Sequence, residues 1–157
     1  ISKEKLENCI NSDLANNFGN LCQRVTAFAQ KNCSAKVPKI IKFNKEDLEM
    51  LNKFTNNLEN IRNEIDKQNV NFYIDFIVNA LFEANKYFND QEPWKKKEDL
   101  DRLNTIVYTS LEMIRKISFM LYPIIPQTIN KVLKIFNLDS NLITLETIAS
   151  HNKLKSG

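Results

Sequence analysis

Asn16, Asn20 and Arg24 recur every four residues in a stretch with helical patterning. A step of four carries a side chain about 40° past a full turn, so the three form one stripe along the helix. Two amides and a guanidinium in a row suit the edges of unpaired bases and the oxygens of phosphates. A solvated helix face is the plain alternative, because asparagine is abundant throughout the chain. The second feature is Trp94, the only tryptophan, in "QEPWKKK" at the break between two apolar periodic runs. Stiffened by Pro93, it offers a flat face on which a base can stack, an interaction worth roughly 1–3 kcal/mol. Lys95, Lys96 and Lys97 can meet phosphates beside it. The same residues could instead plug a bundle corner, with the lysines solubilising the next helix start. Lysines at a helix N-terminus oppose the macrodipole, which favours the anion reading.

Other chemistries find little support. The sequence holds no glycine-rich phosphate loop, no serine–histidine pairing and no HExxH. The one histidine, His151, and the separated cysteines Cys9, Cys22 and Cys33 make a metal site unexpected, and no cofactor is expected either. Acidic residues such as Glu46, Asp47 and Glu49 read as solvated helix faces. An odd cysteine count without a CxxC pair, and no signal-peptide pattern, fit a reducing cytoplasm. No apolar run is long enough to span a membrane. A net charge of +3 is too mild to announce general nucleic-acid binding, so any such site must be local. A start at Ile1 suggests a segment of something longer.

The elements that must position these residues are helical. Two glycines and four prolines among 157 residues permit long uninterrupted helices, and 43% hydrophobic content supplies a core for one domain over 1–157. Leu14, Phe18, Leu21, Val25 and Phe28 define a first helix from about Lys3 to Cys33. Asn44 and Asp47 mark the start of a second, with Leu48, Leu51, Phe54, Leu58, Ile61 and Ile65 as its stripe. A third, from about Asn71 to Phe88, is apolar on more than one face and is expected at the centre of the bundle. A fourth runs from about Lys97 to Leu121, with Leu100, Leu103, Val107, Leu111, Ile114 and Ile117 inward. Pro126 suits the first turn of a fifth, to about Phe136. The tail, 138–157, reads as partly irregular. The fold class is all-α, a bundle of about five helices.

Three segments, in order, resemble one family. "INSDLANNFGNLCQR", Ile10 to Arg24, resembles the opening of the anticodon-binding domain of methionyl-tRNA synthetases. "EANKYFNDQEPW", Glu83 to Trp94, is similar to the family's Asn-x-Tyr and Pro-Trp element, and "LYPIIPQTINKVLKIFNL" to its closing helix. Asn17, Phe18 and Gln23 depart from the family pattern without removing a proposed contact. The resemblance implies the helical anticodon-domain fold of class I synthetases and binding of the CAU anticodon of methionine tRNA. It implies Trp94 stacked on the first anticodon base with Pro93 shaping the loop, Asn20 and Arg24 hydrogen-bonded to bases, and Asn16 in support. HIGH-like and KMSKS-like segments are missing, so ATP use and methionine attachment would belong to a catalytic domain of the same synthetase. This segment alone is expected to hold no active site. The alternatives are the anticodon domain of another class I synthetase, or a helical protein-interaction module using the third helix's surplus apolar face.

Overall fold

The computed structural model describes residues 3–32, 42–66 and 70–138. Cys33, His151 and all of the expected tail after Leu138 lie outside the described residues. Among those described, five α-helices follow one another: α1 (Lys3–Asn32), α2 (Lys45–Asp66), α3 (Val70–Gln91), α4 (Leu100–Leu121) and α5 (Pro126–Ile135). A single 3-10 turn, Pro93–Lys95, joins α3 to α4.

Helical spacing put most of the described stripe residues inside, while the side chains of Phe54, Leu58, Ile61 and Ile65 lie outside what the structure describes. Leu14, Phe18, Leu21 and Val25 of α1 are buried, with Phe28 partly so. They share the core with Tyr73, Ile77, Leu81 and Phe88 of α3, and with Leu103, Val107, Leu111, Ile114 and Ile117 of α4. Leu48 and Leu100 were expected inside and are exposed. Leu100 is the first residue of α4, directly after the capping Asp99, and so stands at the rim of the bundle.

The central helix is α4 rather than α3. It packs on α1, α2, α3 and α5, and is buried along most of its length. α3 also touches α1, α2 and α4, but its surplus apolar residues Phe72, Val78 and Phe82 face solvent. Encirclement of α4 extends to polar side chains: Lys116 is buried and donates to the Leu51 carbonyl and the Thr55 hydroxyl of α2.

Polar contacts between helices fix direction. Glu46 meets Gln91 while Lys53 meets Glu83, so α2 and α3 run antiparallel. Gln91 meets Arg102 and Tyr73 meets the Met120 carbonyl, so α3 and α4 are antiparallel too. The N-terminus of α2 and the end of α3 therefore lie together with the start of α4. The Trp94 corner sits at that end.

Candidate nucleic-acid interface

The corner is built by a helix that stops abruptly. α3 continues three residues beyond the expected Phe88, to Gln91. Glu92 then adopts a left-handed conformation (φ 45°, ψ 58°), which ends the helical ladder, and Pro93 cannot resume it. A non-glycine residue there carries local strain and must be held by its surroundings. Pro93 is buried, and backbone bonds from Lys95 to Glu92 (2.9 Å) and from Lys96 to Pro93 (3.0 Å) close the turn. Trp94 is consequently held out from the surface, 43% exposed.

Trp94 packs against Phe88, centroids 6.1 Å apart with the rings inclined by 60°. Phe88 is itself nearly buried, wedged edge-to-face against Phe28 of α1 at 5.9 Å. The guanidinium carbon of Arg24 lies 5.3 Å from the centroid of the same Phe88 ring. Arg24 and Trp94, distant in sequence, thus lean on one shared aromatic. Sequence reading took Phe88 only as the end of an apolar run and missed this role.

Arg24 is further gripped by two neutral amides of α3. Its Nη1 donates to Asn85 Oδ1 at 2.9 Å, and its Nη2 donates to Asn89 Oδ1. Asn85 is anchored in turn by donating to the Leu81 carbonyl at 3.0 Å. Neither partner carries charge, so the fork is oriented without being neutralised. Arg102 and Arg115 differ: each is paired with a carboxylate, Asp47 and Glu112 respectively. The remaining guanidinium donors of Arg24 and its positive charge stay available to an acceptor. The Asn85/Asn89 pair at i, i+4 was the signal that could have found this grip.

Asn20 and Asn16 are exposed one and two turns before Arg24, on the same side of α1. By helix rise the stripe is roughly 12 Å long. The structure therefore brings Arg24 and Trp94 together through Phe88, with Pro93 buried behind the turn, and continues the polar stripe along α1. No direct contact joins Asn16 or Asn20 to Trp94 among the described residues.

The three lysines do not begin α4. That helix starts at Leu100, capped by Asp99, whose carboxylate accepts from the Arg102 amide at 3.2 Å. They therefore do not oppose its macrodipole from within the first turn, contrary to the expectation from sequence. Lys95 pairs with Glu92 at 2.7 Å, and Lys96 donates to the Gln91 carbonyl. Lys97 is exposed, with no such partner among the described residues.

Asp47 is a second correction. Read as solvated, it is fully buried. Its carboxylate accepts both Arg102 nitrogens (2.7 and 2.9 Å), the Tyr87 hydroxyl and the Asn44 amide (2.9 Å). The Asn44 side chain returns the bond to the Asp47 amide at 3.0 Å, which makes a reciprocal cap on α2. Burial alone would raise the Asp47 carboxyl, but the bonds from Arg102, Tyr87 and Asn44, with the Arg102 charge, hold it below the usual carboxylate range. Burial, followed by the bond to Asp47, pushes the Tyr87 hydroxyl far up.

A separate groove of about 470 Å³ lies between α2 and α3, lined by Glu46, Glu49, Glu83 and Asp90 with Lys53 and Lys86 among others. By helical position it opens on the side of α3 away from Asn85 and Asn89, and its carboxylates disfavour a polyanion. Among the described residues no His, Cys, Asp or Glu cluster could hold a metal ion. No described helix is long and apolar enough to cross a membrane.

Comparison with known proteins supplies the family. Residues 37–157 match the model for the anticodon binding domain of methionyl tRNA ligase. The chain belongs to that family. The anticodon-domain chain is 38% identical over 135 residues to a methionine–tRNA ligase of Brucella suis, covering 85% of this chain and 26% of the relative. A methionine–tRNA ligase of Rhizobium meliloti aligns over 157 residues at 32% identity, covering 99% of this chain and 30% of the relative. Among solved structures, the free form of Mycobacterium tuberculosis methionyl-tRNA synthetase superposes with a TM-score of 0.79 at 30% identity, over 94% of this chain and 31% of that one. The anticodon domain thus spans between about a quarter and a third of the ligases it matches. The family match opens at residue 37, after α1; the alignment with the Rhizobium enzyme carries the likeness through the Asn16/Asn20/Arg24 stripe.

Proposed function

We propose that this domain reads the CAU anticodon of methionine tRNA for a methionine–tRNA ligase. In the intact enzyme a catalytic domain of the same chain, using ATP, would join methionine to that tRNA in the cytoplasm. The exposed face of Trp94 stacks on the first anticodon base, and buried Pro93 sets the turn behind it. Arg24 donates to base edges, Asn20 both donates to and accepts from them, and Asn16 extends the polar stripe one turn further. Lys97 is the lysine best placed for a phosphate, because Lys95 and Lys96 are engaged within the turn.

The observation that carries the reading is the shared support of Arg24 and Trp94 on Phe88. A stacking face and a directed hydrogen-bonding fork side by side are what a splayed, unpaired base needs. Membership of the methionyl anticodon-domain family supports the choice of the CAU loop as the probe. In a titration with an RNA stem-loop bearing CAU, the wild-type domain binds more tightly than to a loop with the first anticodon base changed. Trp94→Ala weakens binding by about 1–3 kcal/mol. Equal affinity for the two loops would remove the base-reading role.

A further inference from the structure

The hinge of the turn that presents Trp94 is hydrogen-bonded to both α2 and α4 through one side chain. Gln91, the last residue of α3, accepts from Arg102 Nη2 at 2.7 Å through its Oε1. Its Nε2 donates to Glu46 Oε2, also at 2.7 Å. Both ends of the amide are thus held, one by α4 and one by α2. Its backbone carbonyl accepts the ammonium of Lys96, from the far side of the turn. The next residue is the strained Glu92, and Trp94 follows two later.

Arg102 can serve Gln91 because its geometry is already fixed. Its fork is spread across both oxygens of Asp47, and Asp47 is immobilised by Tyr87 and by the cap on α2. The guanidinium is planar, so fixing it on Asp47 also fixes the direction in which it meets Gln91. The extra bond to Gln91 acts on the hinge of the Trp94 turn.

We infer that Gln91 and Arg102 are positioning residues for Trp94: they tether the turn to Asp47 and hold the indole in its stacking orientation. The inference rests on the anticodon-reading proposal for its purpose but not for its geometry. A left-handed residue followed by a short 3-10 turn has neighbouring backbone states within a few kcal/mol. Locking it beforehand removes an ordering cost from binding.

The lone tryptophan makes the tether directly measurable. Gln91→Met keeps the length of the side chain and leaves Asp47, Arg102 and Tyr87 together, but deletes both amide bonds. Expected are an unchanged far-ultraviolet circular dichroism spectrum and increased acrylamide quenching of Trp94. Its fluorescence anisotropy decay should gain a nanosecond component, and affinity for the CAU stem-loop should fall about 3–10-fold. Arg102→Lys keeps the charge on Asp47 yet cannot fork to Gln91, and is expected to loosen Trp94 in the same way. Unaltered Trp94 quenching and anisotropy in a folded Gln91→Met domain would overturn the tether. Looser fluorescence with undiminished affinity, where Trp94→Ala does lose affinity, would overturn its positioning role. The fluorescence arm uses no RNA, so a failure of anticodon reading shows only in the binding arm and leaves the tether to be judged by itself.

Discussion

The guanidinium of Arg24 lies 5.3 Å from the centroid of the Phe88 ring, and the same ring packs against Trp94 at 6.1 Å between centroids. A cation over an aromatic face gains roughly 0.5–1 kcal/mol when exposed and more when desolvated. That face also sets the height at which the cation rides. Phe88 therefore couples two proposed RNA contacts without itself reaching solvent.

Phe88→Leu retains an apolar filler but removes the ring. It should cost the fold about 1–2 kcal/mol, in line with one aromatic pair and some lost volume. Stem-loop affinity should fall although Arg24 and Trp94 are both still present. Paired measurements of thermal midpoint and dissociation constant check this. A midpoint shift with wild-type affinity would mean that Phe88 serves the core alone.

Arg24→Lys keeps the charge and discards the fork. A lysine ammonium cannot span Asn85 and Asn89 while presenting further donors in a plane. Loss of about 1–3 kcal/mol in stem-loop binding is expected, on the scale of a hydrogen bond to a charged group. Asn85→Ala, which leaves Arg24 in place but unguided, should lose part of that. If lysine binds as well as arginine, charge alone matters at this position and base-edge reading by Arg24 is wrong.

Asp47 predicts a pH dependence with a definite sign. Its carboxyl is held lower in the folded state than in the unfolded chain. The resulting stability is complete above the unfolded value and drains away as pH falls through the folded one, a window below about pH 4. Asp47→Asn should cost about 3 kcal/mol at neutral pH, since Arg102 is left largely buried without its counter-charge. The variant should also show a flatter acid limb in a series of urea melts. A parallel limb would assign the acid sensitivity to other carboxylates.

The cysteines of α1 should divide sharply in reactivity. Cys9 is exposed, whereas burial pushes the Cys22 thiol up to about 12, only partly offset by a backbone hydrogen bond. At pH 8 the thiolate of Cys22 is then on the order of 10⁻⁴ of the total, and the side chain is shielded as well. Iodoacetamide under native conditions should label the Cys9 peptide and spare the Cys22 peptide until denaturant is added. Equal labelling rates, read by mass spectrometry, would contradict the packing of α1.

Periodicity made the helices legible because their buried apolar residues recur at helical spacing. Lys3, Lys45 and Pro126 open their helices within a residue of where spacing and capping placed them. The ends around the Trp94 turn were displaced, since the left-handed Glu92 and the Asp99 cap act over single residues and leave no periodic trace. The choice of candidate residues on α1 and at Trp94 followed from residue type. What grips them did not: Asn85, Phe88 and Asn89 take meaning only once α3 lies against α1. Asp47 was misread for the same reason. Its partner Arg102 is 55 residues away, and nothing near Asp47 distinguishes a buried carboxylate from a solvated one.

The neutral grip on Arg24 has a consequence for how the domain behaves in salt. Arg102, Arg115 and Lys95 are each matched by a carboxylate, which leaves Arg24, Lys97 and the carbonyl-bound Lys96 as the few unneutralised charges around the Trp94 corner. Each phosphate neutralised on a single strand contributes only about 0.7 to the logarithmic salt slope. Binding should therefore release few counterions, and the preference between loops should change little from dilute buffer to physiological ionic strength. On the proposed reading, such a surface ranks anticodon loops once they have arrived rather than drawing them in from a distance.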